Sequence, residues 1–118
     1  VKGVVRMCAL MDSAKALATM LECSEWCIAY REAKAAVTAD AVLMRRLGIY
    51  KTRHMAHRMG AALSSEAEKE IGALYHELML DERARRFLES EREAVQITAN
   101  ICRMLTEACG VDVTFPEL

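Results

Sequence analysis

The sequence predicts an all-α fold, and three observations carry that prediction. Apolar residues recur at helical spacing along most of the 118-residue chain. Serines and aspartates suited to helix capping stand at the heads of the later apolar segments. One proline, five glycines and 5% aromatic residues leave too few turn formers and ring fillers for many short strands joined by tight turns. The length suits a single domain spanning 1–118. Residues 1–3 are expected to be an appended or truncated end, and 111–118 a short tail.

About five helices follow in order. In the first, Val4, Met7, Met11, Ala14, Ala18 and Leu21 form a stripe with Leu10 and Leu17 beside it. Ser24 is placed to cap a second helix, with Glu25 in its first turn and Trp26, Tyr30, Ala33 and Val37 on one face. Asp40 caps a third, expected from Ala41 to about Leu63, with Leu43, Leu47 and Tyr50 on one row and Met44, Met55 and Met59 nearby. Ser65 followed by Glu68 suggests a capping box for a fourth helix, whose inner face holds Ala67, Ile71, Leu74 and Leu78. Gly72 inside it calls for a close helix crossing to justify its cost of about 1 kcal/mol relative to Ala. Asp81 caps the longest helix, about Glu82 to Cys109, which Gly110 ends.

Charge is unevenly distributed behind a net value of −1. Residues 41–63 hold five basic residues, Arg45, Arg46, Lys51, Arg53 and Arg58, and no acid, whereas residues 64–82 hold six acids and one lysine. Short connections pack successive helices antiparallel, so the basic and acidic helices are expected to compensate each other within a chain or across a dimer. A phosphate-binding surface or a protein-partner site are the other readings of the basic face. Near-neutral charge excludes a polyanion binder of the whole-protein kind, and nucleic acid is not the expected partner.

Five cysteines, an odd number at spacings unlike small secreted scaffolds, suit a reduced, cytoplasmic protein. Arg6, Asp12 and Lys15 interrupt the first apolar segment, so neither a signal peptide nor a membrane anchor is expected. Cys23 and Cys27 stand four apart, with Cys8, Cys102 and Cys109 elsewhere; buried structural thiols are the expectation, a metal or iron–sulfur site the alternative. His54 and His57 share a helix face, with His76 on the next helix, and half-buried seam positions are expected for them rather than metal ligation. His76-Glu77 lacks the second histidine of a zinc-protease helix, and no nucleophile elbow or phosphate loop occurs. No catalytic, cofactor-binding or metal-binding residue is assigned, and an enzyme is not expected.

Two stretches carry a family likeness. Met11-Asp12-Ser13-Ala14-Lys15-Ala16-Leu17-Ala18 is followed by Ser24-Glu25-Trp26 and by Tyr30-Arg31-Glu32-Ala33-Lys34, which leads to Asp40. Later come Leu74-Tyr75-His76-Glu77-Leu78-Met79-Leu80-Asp81 and Phe87-Leu88-Glu89-Ser90-Glu91. In this order and spacing the chain resembles the YlbF/YmcA family of small bacterial helical proteins from Met11 to Gly110. The resemblance implies shorter helices packed on a long C-terminal one, self-association, and a non-enzymatic regulatory role. Relatives act in competence, sporulation and biofilm control, in a complex supporting mRNA processing by ribonuclease Y, and some of those complexes carry iron–sulfur clusters on cysteines. Family paralogues and ribonuclease Y are therefore the implied partners.

The expected product is a cytoplasmic interaction protein, a homodimer or higher oligomer. Its expected interface lies on the last helix at Leu88, Val95, Ile101, Cys102, Leu105 and Cys109. The competing readings are an RNA-binding accessory using the basic third helix and a metal or redox sensor using the cysteines.

Overall fold

A computed structural model describes residues 2–60 and 64–112. Those residues form α1 (Lys2–Glu22), α2 (Glu25–Thr38), α3 (Ala41–Arg58), α4 (Ser65–Leu80) and α5 (Glu82–Cys109), with no strand among them. The all-α architecture with a long final helix is as the sequence predicts.

Several boundaries differ for local reasons. Ser24 occupies the N-cap of α2, but its hydroxyl donates back to the Leu21 carbonyl and makes no cap bond. α3 stops at Arg58, short of Leu63, because Gly60 takes φ +86°, a left-handed conformation that ends the helix, and its N–H donates to the His57 carbonyl at 3.1 Å. Leu63 itself lies outside the described residues. At α4 the cap is Ser64, whose Oγ accepts from the Ala67 N–H at 3.1 Å. The cap is therefore displaced by one residue, and the expected box of Ser65 with Glu68 gives way to a single serine cap, since Ala67 has no polar side chain to reach back. No atom beyond the helix's own backbone comes within 4 Å of where a Cβ on Gly72 would sit, so the close crossing expected there is absent. Asp40 and Asp81 do cap α3 and α5, accepting from Val42 and Leu43 and from Arg83 respectively.

The core lies where four helix ends meet. Val37 from α2, Leu43 and Leu47 from α3, Leu78 from α4, and Ala84 and Phe87 from α5 form one buried cluster. Tyr30, Ala33, Tyr50, Leu74 and Leu88 pack around it. Burying side chains such as Leu47, Leu78 and Phe87 contributes roughly 1.5–3 kcal/mol each.

α2 runs antiparallel along α5, its most extensive partner. Tyr30 meets Glu91 near one end of this packing and Asp40 meets Arg83 at the other. α3 and α4 form a second antiparallel pair, with Arg46 opposite Glu77 and Arg53 opposite Glu70. α1 touches α2 near the corner between them and has no buried residue.

The chain is spread out for its mass. Its radius of gyration is 18.5 Å, against about 13.5 Å for a compact domain of this length. It exposes 9015 Å², where a folded monomer of its mass exposes about 6,400 Å². The excess arises because helix pairs extend away from one small core instead of wrapping it.

Candidate functional site

The large apolar residues that the core leaves uncovered fall mainly on α1 and on α3, where Val42, Met44, Ile49 and Met55 are exposed, with a smaller group toward the end of α5. Continuing the α2–α5 register, the start of α2 reaches about residue 97 of α5, and roughly three turns run on beyond it. There Leu105 is 55% exposed, Met104 68% and Val111 54%. Val95 and Cys109 are also exposed, while Ile101 and Cys102 are half-buried. Of the six interface residues expected from sequence, Leu88 is the exception: it packs against the core of its own chain. Its place in the seven-residue row lies beside Phe87 at the central cluster, so its own chain already packs against it.

α1 was legible as an amphipathic helix but not as an uncovered one. Val4, Val5, Met7, Leu10 and Met11 are all exposed by half or more, and only Leu17 and Leu21, near the corner with α2, are half-buried. Exposed apolar area of this extent on a small chain is characteristic of an association surface.

The basic helix proves to be largely compensated inside the chain. Arg46 Nη1 lies 3.0 Å from Glu77 Oε1 and Arg53 Nη1 lies 3.8 Å from Glu70 Oε2, so α4 supplies acids to α3 across their antiparallel seam. Lys51 is turned elsewhere, ion-paired with Glu91 of α5 and seated 4.7 Å from the centre of the Phe87 ring. Arg45 and Arg58 form no ion pair among the described residues. The five positions therefore do not present one continuous cationic stripe.

His54 is half-buried and stacks on Tyr50 with ring centres 5.4 Å apart. Burial, with smaller contributions from Arg58, His57 and Arg92, holds its pKa below the usual histidine value. His57 and His76 are exposed, contrary to the expectation of seam positions for all three.

None of the five thiols is buried, which corrects the expectation of structural core cysteines: Cys8, Cys23 and Cys109 are exposed, and Cys27 and Cys102 half-buried. The α1–α2 corner puts Cys23 outside either helix, so Cys23 and Cys27 do not share a helical face. An iron–sulfur cluster takes four ligands, and no three candidate metal ligands converge among the described residues. The arrangement within one chain does not fit such a cluster.

Sequence reasoning also missed a groove between α2 and α5. It is open, holds about 490 Å³, and is lined by Ala29, Ala33 and Ala36 with Glu32, Glu89 and Glu93 among its edges. The alanines fall at i, i+4 and i+7 of α2, a spacing visible in sequence, but their exposure depends on how α5 lies.

No helix among the described residues is long and apolar enough to cross a membrane. No curated protein matches the chain, and no solved structure does. The family described as "Control of competence regulator ComK, YlbF/YmcA" matches residues 10–109, from within α1 to the last residue of α5. With its all-helical build, uncovered helix faces and motifs in family order, the chain belongs to the YlbF/YmcA family, whose name fits a regulatory role.

Proposed function

We propose that the protein is a non-enzymatic, cytoplasmic regulator that acts through protein–protein contact and self-associates as a homodimer or higher oligomer. The observation that carries this reading is the uncovered apolar surface of α1 and distal α5. The whole chain's exposed area, polar and apolar together, exceeds that of a compact monomer by about 2,600 Å², more than a standard interface removes from one partner, about 800 Å². A second copy is a sufficient source of cover. Family membership supports the regulatory part, and the finer role follows from the resemblance: accessory action in competence, sporulation or biofilm control through ribonuclease Y-dependent mRNA processing. No resident cofactor is assigned.

Analytical ultracentrifugation over a micromolar range tests the association. A concentration-dependent dimer is expected, weakened by Leu105→Asp, which places a charge in the distal row. A wild-type monomer at tens of micromolar overturns it. Affinity purification from the native host tests the regulatory assignment, with a family paralogue or ribonuclease Y expected to co-purify; recovery of neither removes support for that pathway.

A further inference from the structure

The self-association reading leaves open what seats against what. Resting on it, we infer that α1 of one copy docks into the α2–α5 groove of a second copy, reciprocally. Size, shape and charge on the two surfaces match.

The groove has a floor of small side chains. Ala29, Ala33 and Ala36 line it from α2, and Ser90 contributes from α5. Glu82, Arg86, Glu89 and Glu93 follow one another along α5 at i, i+4, i+7 and i+11, a length of about three helical turns. A floor of alanines accepts large, pliable knobs, and Met7, Leu10 and Met11 of α1 are such knobs, 55%, 60% and 50% exposed. With Val4 and Ala14 they fall on one side of α1 and span about three turns.

Charge sets the pairing more narrowly than shape. On the groove, Glu82 is engaged by Arg86 at 3.3 Å, and Arg83 is held by Asp40 and Asp81. Glu32, Glu89 and Glu93 have no ion-pair partner among the described residues, so both helices contribute a free carboxylate to the groove lining. On α1, helical geometry puts Arg6 along one edge of the apolar stripe and Lys15 along the other, whereas Asp12 falls on the back. Neither Arg6 nor Lys15 has an ion-pair partner among the described residues. An apolar stripe edged by cations meets an apolar floor edged by anions. Within one chain α1 packs on α2 only near their corner, so its cationic, apolar N-terminal half is left for another copy.

Charge reversal followed by mixing tests the docking on the full-length chain. One variant carries Glu89→Lys and Glu93→Lys, the other Arg6→Glu and Lys15→Glu. All four positions are exposed, so the core is untouched, and far-UV circular dichroism checks that each variant folds. Each alone should dimerise about tenfold more weakly than wild type at low salt. An equimolar mixture should recover a heterodimer near wild-type affinity, because every acidic groove then faces a basic α1 and every reversed groove a reversed α1. Rescue by mixing also separates docking between copies from folding back within one chain. Homodimers of unchanged affinity in both variants, still disrupted by Leu105→Asp, would overturn the α1 docking and leave self-association standing. Weakened variants that mixing does not rescue overturn it as well. A wild-type chain that stays monomeric removes both readings.

Discussion

Arg83 Nη2 donates to Asp40 Oδ2 at 3.1 Å, joining residues 43 positions apart. The same nitrogen reaches Asp81 Oδ2 at 3.0 Å, so one guanidinium ties the α2–α3 corner to the α4–α5 corner. Asp40 and Asp81 are also the caps of α3 and α5, so two helix starts share one cation. Both carboxyls are held below their usual range: Asp40 chiefly by the Leu43 N–H, Asp81 chiefly by Arg83. Replacing Arg83 with Met is expected to lower the urea midpoint with an unchanged denaturant slope. A double-mutant cycle with Asp40→Asn should give a favourable coupling, and strict additivity would show that the contact contributes nothing.

The carboxyl pair also gives the fold an acid limit. Because their folded pKa values are depressed, Asp40 and Asp81 contribute stability that is present above the ordinary carboxyl value of 3.8 and lost as pH falls through the lower folded values. Unfolding midpoints measured between pH 5 and about 2 should fall less steeply in an Asp40→Asn, Asp81→Asn variant than in the parent. Equal slopes would refute this assignment.

His54 acts in a higher pH window. Its folded pKa is lowered by burial, so its contribution is complete above the unfolded value of about 6.5 and declines as pH drops through the folded one. Stability should therefore decrease on acidification from neutrality, and His54→Gln should flatten that part of the curve. Nuclear magnetic resonance titration of the ring protons gives the sign directly; a folded pKa above 6.5 would contradict the burial argument.

Phe87 is 4% exposed and meets Tyr30 at 6.0 Å between ring centres, with Lys51 over its ring. Phe87→Ala removes the largest side chain of the central cluster and should cost about 3–5 kcal/mol, measured by chemical denaturation. Lys51→Met should cost far less, since it keeps the aliphatic stem while removing the charge near Glu91.

The compensation of α3 predicts weak RNA binding. With Arg46, Arg53 and Lys51 engaged by carboxylates, Arg45 and Arg58 are the cations of the set without an ion-pair partner among the described residues. Any shift of a short RNA in gel or fluorescence assays should show a log–log salt slope no steeper than about −2. A slope near −5 would restore the whole basic helix as a phosphate-binding face.

How much the sequence disclosed depended on how local the physics was. The Asp40 and Asp81 caps and the Gly110 stop were legible because each rests on a single residue's conformational preference. The sequence predicts a later end for α3 because the apolar pattern carries on past Arg58 through Met59, Ala61, Ala62 and Leu63. At α4, adjacent serines compete for one cap, and local pattern does not rank them. Compensation between α3 and α4 was foreseeable from opposite block charges on successive helices, yet the departure of Lys51 to Glu91 was not, since it depends on α5 passing behind α3. Leu88 illustrates the same limit: a seven-residue row shows which side of α5 is apolar, but where the four helix ends meet decides which member of the row the chain itself covers.

A helix of 21 residues without a buried side chain has little intrinsic persistence in water. Under the proposed docking between copies, folding of α1 and association become one equilibrium, and the amount of helix per chain then depends on how many chains are present. Ellipticity at 222 nm should rise with protein concentration until the copies are paired. Such a segment would report the abundance of its own protein, ordered in a crowded population and frayed in a sparse one.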